Sequence, residues 1–249
     1  MADPLRKVNE MLTLEKIVTG YQPGTPVLNG ITMHLEPGTT TGLMAPSGSG
    51  KTTLARIAAM LNSPWSGTIA IDGTPVQGVR HTLAPSLRRQ VALVFQSPRR
   101  ATNPRHHVGH IIDEPLRLTP RPARSSVAER SWTVTALAQR VGLDTELLER
   151  YPHEISDGQL QRACLARALA TRPRYLVCDE ITSMLDASTT ANIVRTIIEE
   201  SHHHSMGVLT MSHDRQLLEH WADHSLLLRH ATLEPQPQPP SLAESGFAS

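Results

Sequence analysis

The chain has 249 residues and is almost neutral, with 24 Lys and Arg against 23 Asp and Glu. Hydrophobic residues make up 39% of it and charged residues 19%, which excludes a disordered chain and indicates one large domain, or a core with an inserted subdomain. The charge balance also argues against the basic stripe of a nucleic-acid-binding protein.

The chain shows no pattern typical of a targeting or membrane-spanning segment. Its N-terminus has no apolar run resembling a signal peptide, and no segment approaches the ~20 apolar residues of a membrane span. We therefore expect a soluble, cytosolic chain that reaches a membrane only through a partner. Cys164 and Cys178 have apolar neighbours, which predicts buried free thiols rather than a disulfide or a metal pair.

Strand and helix patterns alternate along the chain. Alternating, β-branched or apolar runs predict strands at 12–20, 27–38, 39–44, 67–76, 90–96, 175–180 and 207–213. Helical spacing, marked after a glycine loop by Leu54, Ile57, Ala58 and Leu61, predicts helices there and at 126–143, 157–173 and 188–200. The alternation predicts a mainly parallel α/β sheet, and the apolar run 90–96 is typical of a strand buried on both faces.

Two segments differ in composition from the rest. Residues 97–160 are richer in Pro, Arg and polar side chains, and we interpret them as a helical subdomain inserted into a domain that spans 1–232. Residues 233–249 are Pro-rich and polar, which predicts a disordered tail.

The segment "APSGSGKTT" at 45–53 lies between a predicted strand and a predicted helix. It fits the phosphate-loop pattern G-x-x-x-x-G-K-[ST], except that Ala45 replaces the first glycine, which matters only if that position needs a positive φ. The Lys51 ammonium would add a point charge, and the Thr52 hydroxyl would ligate Mg²⁺. The backbone N–H groups that can wrap the β- and γ-phosphates belong to Gly48, Ser49, Gly50 and Lys51.

A second candidate site lies at the end of the apolar run "YLVCDE" at 175–180. Such strand ends border the ligand crevice of open α/β sheets. Asp179 can orient a Mg²⁺ shell there, and Glu180 can polarise a water for attack on a γ-phosphate. An ordinary acidic turn would explain the pair taken alone, but the phosphate loop upstream favours the catalytic interpretation.

At this point the chain resembles an ATP-binding cassette (ABC) ATPase over about residues 12–230. The family's motifs appear in order: an aromatic that stacks on adenine, the Walker A loop, the Q-loop glutamine, the signature, Walker B, the D-loop and the switch histidine. The matching residues are Tyr21, 45–53, Gln96, 155–159, 175–180, Asp186 and His213. Taken singly, Tyr21, Gln96 and His213 could be ordinary structural residues, and their order along the chain favours the site.

The resemblance implies an α/β fold of the P-loop NTPase type, with a mainly parallel sheet core, an N-terminal antiparallel β subdomain and an inserted helical subdomain. ATP and Mg²⁺ are the implied cofactors. Glu180, Gln96 and His213 would be catalytic, the imidazole sensing the γ-phosphate. The implied ATP contacts are Tyr21, Ser47, Gly48, Ser49, Gly50, Lys51, Thr52 and Thr53. The implied Mg²⁺ ligands are Thr52, Gln96 and Asp179.

The stretch "ISDGQ" at 155–159 matches the signature usually written LSGGQ. It stands at a helix start, where free N–H groups make an anion site. In this family the signature closes on the ATP of a second, head-to-tail cassette. Asp157 occupies a position that is usually glycine, so we expect its charge to weaken that composite site slightly, although a carboxylate there complements the helix dipole. The signature residues are Ser156, Asp157, Gly158 and Gln159.

The stretch at 94–116 resembles the ATPases of dipeptide, oligopeptide and nickel importers, through Phe95-Gln96, Asn103-Pro104-Arg105 and Glu114-Pro115-Leu116. The helix "GQLQRACLARALA" and the short tail favour the nickel or metal–opine type. The resemblance implies an ATPase that energises an importer for peptides, nickel or a metal–metallophore complex, peripheral at the cytoplasmic face of the inner membrane.

The implied partners are a second ATPase subunit, with a paralogue favoured over another copy, two membrane permease subunits and, indirectly, an extracytoplasmic binding protein, with no nucleic acid. The alternative is a soluble ABC ATPase acting on nucleic acid or ribosomes. Such proteins usually contain two cassettes, a long coiled coil or zinc modules, and none of these is evident in the sequence.

Histidine is abundant, with 13 residues, and two groups invite a metal-binding interpretation. His106, His107 and His110 cluster, and residues 202–204 are consecutive histidines. In an ATPase that does not touch its cargo, such groups are more often solvated surface, and this is the interpretation that we favour.

Overall fold

The computed structural model describes residues 10–118, 127–183 and 185–235. The strands are β1 (Leu12–Gln22), β2 (Thr25–Leu35), β3 (Thr40–Met44), β4 (Ser66–Ile71), β5 (Thr74–Pro75), β6 (Val91–Val94), β7 (Tyr175–Asp179), β8 (Gly207–Ser212), β9 (His224–Arg229) and β10 (Thr232–Pro235). The helices are α1 (Lys51–Ala58), α2 (Pro85–Arg88), α3 (Val108–Arg117), α4 (Val127–Arg140), α5 (Asp157–Leu169), α6 (Ala187–His204) and α7 (Arg215–Trp221).

The strands form two sheets, as the family resemblance implied. The first is antiparallel, with the order β2-β1-β4-β5. The second has the order β10-β9-β3-β8-β7-β6, and all of its neighbours are parallel except β10 against β9. Every residue of β7 and β8 is buried, which explains why these central strands are continuous apolar runs rather than alternating ones.

Two apolar clusters pack against the parallel sheet. One includes the inner faces of α3, α4 and α5, together with Leu176 and Cys178 of β7. The other joins the antiparallel sheet to α1 and includes Tyr175 and Val177 of the same strand. Because successive side chains of a strand point to opposite faces, β7 separates the helical part of the chain from the part that carries the phosphate loop.

The predicted helical insertion is present between β6 and β7. It contains α3 and α4 and two short 3₁₀ segments at Thr145–Glu149 and Pro152–Glu154, and α5 begins inside its predicted boundary at Asp157. Cys164 of α5 and Cys178 of β7 are free and buried, as predicted, and burial raises the pKa of Cys164 to about 11. Within the described residues, no helix is both long enough and apolar enough to cross a membrane.

The structure corrects some details of the sequence analysis. Helix α1 ends at Ala58, so Leu61 lies beyond it and is 37% exposed instead of continuing the buried stripe. Strand β9 and helix α7 were not predicted. Strand β10 includes residues 233–235, which the sequence analysis assigned to the tail, and residues 236–249 lie outside the described part of the chain.

Candidate functional site

The phosphate loop connects the end of β3 at Met44 to the start of α1 at Lys51. Gly48 and Gly50 have φ of 77° and 104°, values that only glycine adopts without strain. A Cβ on Gly50 would also lie 2.7 Å from a methyl of Val27 in β2. Ala45 is buried and is not among the described residues with positive φ, so alanine fits where the pattern has glycine.

Lys51 is 6% exposed, and its ammonium is fully paired. Its Nζ donates to the carbonyl oxygens of Ala45 at 2.7 Å and Pro46 at 2.9 Å, and it lies 2.9 Å from Oε1 of Glu180. A buried ammonium is stable only when it is paired in this way. The charge is therefore held at the mouth of the loop, where the glycine N–H groups also lie.

The carboxylate of Glu180 brings three predicted motifs together. Besides its ion pair with Lys51, it accepts a hydrogen bond from Nε2 of Gln96 at 2.9 Å and lies 3.8 Å from Nδ1 of His213. Glu180 has a φ of 48°, an uncommon conformation for a side chain of this size, and its N–H donates to the Met211 carbonyl of β8 at 3.0 Å. The turn of the backbone carries the side chain out of the sheet and into the site.

Asp179, the last residue of β7, is 3% exposed. Burial raises the pKa of this carboxyl, and a hydrogen bond from the Thr52 side chain partly opposes the rise. The hydroxyl of Thr52 and the carboxylate of Asp179 are hard oxygen ligands of the kind that Mg²⁺ prefers. The donor set at this position therefore fits a divalent cation.

The phosphate loop, Gln96 and Glu180 line a cleft of about 310 Å³, and neither Asp179 nor His213 is among its described lining residues. The exposed Tyr21 stands at its edge and shares a 2.9 Å hydrogen bond between its hydroxyl and that of Thr53. The lining consists of Tyr21, Val27, Ser47, Gly48, Gly50, Lys51, Thr52, Thr53, Gln96 and Glu180. Ser49 lies outside this lining, and its hydroxyl donates to the Pro46 carbonyl at 2.7 Å. Most of the predicted ATP contacts therefore meet in one place.

The signature residues 156–159 lie at the start of α5 and, within the described lining, take no part in that cleft. Ser156 and Gln159 form a reciprocal capping box, in which each side chain accepts a hydrogen bond from the other residue's N–H, at 3.2 and 2.9 Å. Asp157 forms an ion pair with Arg99, whose Nε lies 2.6 Å from its Oδ1. The sequence analysis set the Asp157 charge against the helix dipole alone, and the structure adds a pairing with Arg99.

Asp186 of the predicted D-loop caps α6. Its carboxylate accepts hydrogen bonds from the N–H and hydroxyl of Thr189 and from the hydroxyl of Ser188, which hold the pKa of Asp186 well below its usual range. Thr189 also accepts a 3.3 Å hydrogen bond from Arg162 of α5. The D-loop cap is therefore connected to the signature helix.

The histidine groups do not form a metal site within the described residues, where no set of three or more His, Cys, Asp or Glu side chains is suitably placed. The rings of His106 and His110 stack at 4.1 Å. The histidines at 202–204 are in the last turn of α6, where positive charge is favourable for the helix dipole, and His204 lies 3.5 Å from Glu200.

Sequence reasoning missed Arg99, Arg162 and Ser183, the last of which accepts a 3.4 Å hydrogen bond from Gln96. Arg99 follows the Gln96 segment by only three positions, but its partner is far along the chain, and no local pattern marks such a pair. The one sequence signal for this ion pair was a basic residue three positions after Gln96 together with an acidic residue in the signature.

The fold and the loop define the class of the protein: an α/β domain with a phosphate loop between a parallel strand and a helix is a P-loop NTPase fold. A family model described as "ABC transporter" matches residues 28–183, more than half of the chain. The chain therefore belongs to the ABC transporter family, and the resemblance seen in its motifs is confirmed.

The relatives of the chain include import ATPases. It is 40% identical to the nickel import ATP-binding protein NikE of Rhodospirillum rubrum, over 85% of this chain and 75% of the relative. It is 37% identical to the di/tripeptide transport ATP-binding protein DppF of Pseudomonas aeruginosa, over 81% of this chain and 61% of the relative. It is 36% identical to the oligopeptide transport ATP-binding protein OppF of Escherichia coli, over 81% of this chain and 60% of the relative. The chain thus spans about three fifths of the two peptide-transport relatives.

Solved structures confirm the fold. The dimeric structure of the ATP-binding cassette MJ0796 bound to ADP and Pi has a TM-score of 0.82 and 24% identity, covering 92% of this chain and 98% of that one. The structure of cbiO1 from Clostridium perfringens, part of the ABC transporter complex cbiONQ, has a TM-score of 0.78 and 24% identity. The match covers 92% of this chain and 89% of that one.

The buried charge of Asp179 gives a prediction about stability. Because its pKa is raised in the fold, the fold is penalised as pH rises through that pKa, and the penalty is absent in acid, where the carboxyl is protonated in both states. Asp179→Asn should therefore raise the Tm at pH 7, and the gain should shrink towards pH 4. Thermal unfolding at both pH values measures this. Asp214→Asn, at an exposed helix cap that asparagine fills equally well, is the control and should not change the Tm.

Proposed function

We propose that the chain is the ATP-binding and ATP-hydrolysing subunit of a membrane ABC importer. The observation that carries the proposal is the convergence on Glu180: its carboxylate meets the phosphate-loop Lys51, the Q-loop Gln96 and the switch His213 at 2.9, 2.9 and 3.8 Å. A carboxylate within reach of a phosphate-binding cation, an amide and an imidazole is arranged for polarising a water beside a phosphate.

In this proposal the cleft holds ATP. Tyr21 stacks on the adenine at the exposed edge, and the loop from Ser47 to Thr53 wraps the phosphates with its N–H groups at the start of α1. The Lys51 ammonium contacts the β- and γ-phosphates. Thr52, Asp179 and Gln96 would hold Mg²⁺, which would neutralise charge on the phosphates.

For hydrolysis, Glu180 would act as the general base that orients and polarises the water. Gln96 would position the same water, and the exposed His213 would hydrogen-bond the γ-phosphate. The signature residues 156–159 do not line this cleft, and the N–H groups of Asp157 and Gly158, which the capping box does not use, would contact the ATP of a second cassette. We propose that this second cassette is a paralogue.

The importer assignment draws on the relatives and on a basic groove. The named functions of the relatives favour nickel, peptides or a metal–metallophore complex as cargo. A groove of about 350 Å³ lies between the core and the helical insertion. Its lining is Leu61, Arg80, His81, Pro85, Arg88, Arg89, Pro115, Leu118 and Thr171. Three arginines beside exposed leucines suit an amphipathic acidic segment of a permease subunit. The chain would then be peripheral, at the cytoplasmic face of the membrane.

The role of Lys51 can be tested by binding. Because charge-assisted contacts to phosphate are worth about 1.5–3 kcal/mol each, Lys51→Ala should weaken ATP binding by about ten- to a hundredfold. Titration calorimetry measures the affinity. Lys16→Ala, which removes an exposed lysine of β1, is the control. Equal ATP affinity in the Lys51 variant and the parent would contradict the phosphate-loop assignment.

The role of Glu180 can be tested by kinetics. Glu180→Gln keeps the size of the side chain but cannot act as a base, so turnover should fall by about 10²-fold or more while ATP is still bound. Single-turnover hydrolysis and nucleotide trapping measure the two properties, and substitution of the exposed Glu199 of α6, Glu199→Gln, is the matched control. Turnover at the parent rate would remove Glu180 from the mechanism.

The docking groove can be tested by crosslinking. Cysteines introduced at Leu61 and at the 69% exposed Leu118 should crosslink to a permease subunit, whereas a cysteine at Glu234 in β10 should not. The natural Cys164 and Cys178 are buried and will not interfere. Crosslinks confined to residues 233–249 would show that the permease binds elsewhere.

A further inference from the structure

The side chain of Arg99 holds together the start of the signature helix and the loop that leads into it. Its Nη1 donates to the Pro152 carbonyl at 2.8 Å, its Nη2 donates to the Ile155 carbonyl at 3.1 Å, and its Nε lies 2.6 Å from the Asp157 carboxylate. All three nitrogens of the guanidinium are therefore engaged by one short stretch of chain. Such a planar, forked arrangement is specific to arginine.

The ion pair with Arg99 changes the electrostatic environment at the start of α5, because Asp157 carries a negative charge there. Asp157 is in the first turn of α5, where the capping box does not use the N–H groups of Asp157 and Gly158, and these make this end attractive to an anion. An unpaired carboxylate there would oppose a phosphate approaching the same N–H groups. With Arg99 at 2.6 Å, the local charge is close to zero. Both side chains remain about half exposed, at 45% and 50%, so they lie at the surface that an approaching nucleotide would meet.

A second contact fixes the segment that carries Arg99. Gln161 of α5 is 2% exposed and donates from Nε2 to the Phe95 carbonyl at 3.1 Å. The segment from Phe95 to Arg99 is thus attached to α5 at both of its ends. Loss of the Arg99 charge would leave the Gln161 attachment in place, so the electrostatic effect can be separated from displacement of the segment.

We propose that Arg99 is a positioning residue that neutralises Asp157, and that this pairing lets a signature containing an aspartate accept the phosphates of a nucleotide held by the second cassette. The inference rests on the proposed function, in which the signature closes on the ATP of that cassette. It identifies the ligand class at the start of α5 as the phosphate groups of a nucleoside triphosphate, and it assigns the charge balance there to a residue outside the signature.

Rescue of a charge defect by a second substitution tests the pairing. In the Glu180→Gln background, which should slow hydrolysis, association of the full chain with its second cassette is followed by analytical ultracentrifugation as ATP and Mg²⁺ are titrated. Arg99→Gln should raise the ATP concentration for half-maximal association by about three- to tenfold, because it exposes the Asp157 charge. Arg99→Gln combined with Asp157→Asn should return the value to within about twofold of the parent.

Two further measurements separate charge from structure. The defect of Arg99→Gln should shrink between about 0.1 M and about 1 M salt, where the Debye length falls from about 10 Å to about 3 Å. Arg100→Gln removes the same charge one residue further on. Since Arg100 makes no ion pair with a carboxylate in the described part of the chain, this control should behave like the parent.

The outcomes distinguish this inference from the proposed function. If the Glu180→Gln parent fails to associate when ATP is added, the proposed function is wrong and the inference falls with it. If the parent associates but the double variant is as weak as Arg99→Gln, then Arg99 acts through the Pro152 and Ile155 carbonyls, and the charge role is wrong. The charge role is also wrong if Arg99→Gln needs the same ATP concentration for half-maximal association as the parent, or if its defect does not change with salt.

Discussion

The position of the Glu180 carboxylate is the constraint on which the rest of the site depends. Lys51, Gln96 and His213 come from three separate segments, and each is brought within 2.9 to 3.8 Å of that one group. Glu180 reaches them because its backbone turns at φ 48°, a conformation that costs about 1–3 kcal/mol outside glycine. The fully buried strands β7 and β8 oppose relaxation of this turn, since the Glu180 N–H is bonded to the Met211 carbonyl. The rigidity of the parallel sheet is thus what keeps the site assembled.

Those parts of the site that are encoded locally could be predicted from the sequence. The phosphate loop depends on glycines within a few residues of a strand and a helix, and Gly48 and Gly50 have the positive φ values that the pattern implies. The ends of β7 and β8 were predictable because buried parallel strands appear as apolar runs, and parallel strands bring their carboxyl ends to one edge. Asp179, Glu180 and His213 follow from that rule. The sequence analysis also predicted that Ala45 would be tolerated unless its position needs a positive φ, and Ala45 has no positive φ.

Features that depend on tertiary contacts could not be predicted. The loss of Leu61 from the buried stripe depends on where α1 ends, and helix ends are set by surroundings as much as by spacing. Strand β10 is polar and contains a proline, which sequence reasoning assigns to a tail, but pairing with β9 at the sheet edge makes it a strand. The ion pair of Asp157 with Arg99 was not predicted for the same reason. The charge of Asp157 was weighed against the helix dipole alone, whereas a guanidinium far along the chain lies 2.6 Å away.

The segment from Phe95 to Arg99 contains a motif residue that the sequence predicts and a tertiary contact that it does not. It contains Gln96, which bonds to Glu180, and its ends are attached to α5 through Gln161 and through Arg99. Pro98 within it has a fixed φ, and a chain of so few residues cannot lengthen appreciably. Through this short segment, α5 and the Glu180 carboxylate are joined by a continuous series of contacts. Because the helices of the insertion pack on one face of β7 and the phosphate loop is joined to the other, this segment is a contact between the two sides of the sheet that includes both Gln96 and Arg99.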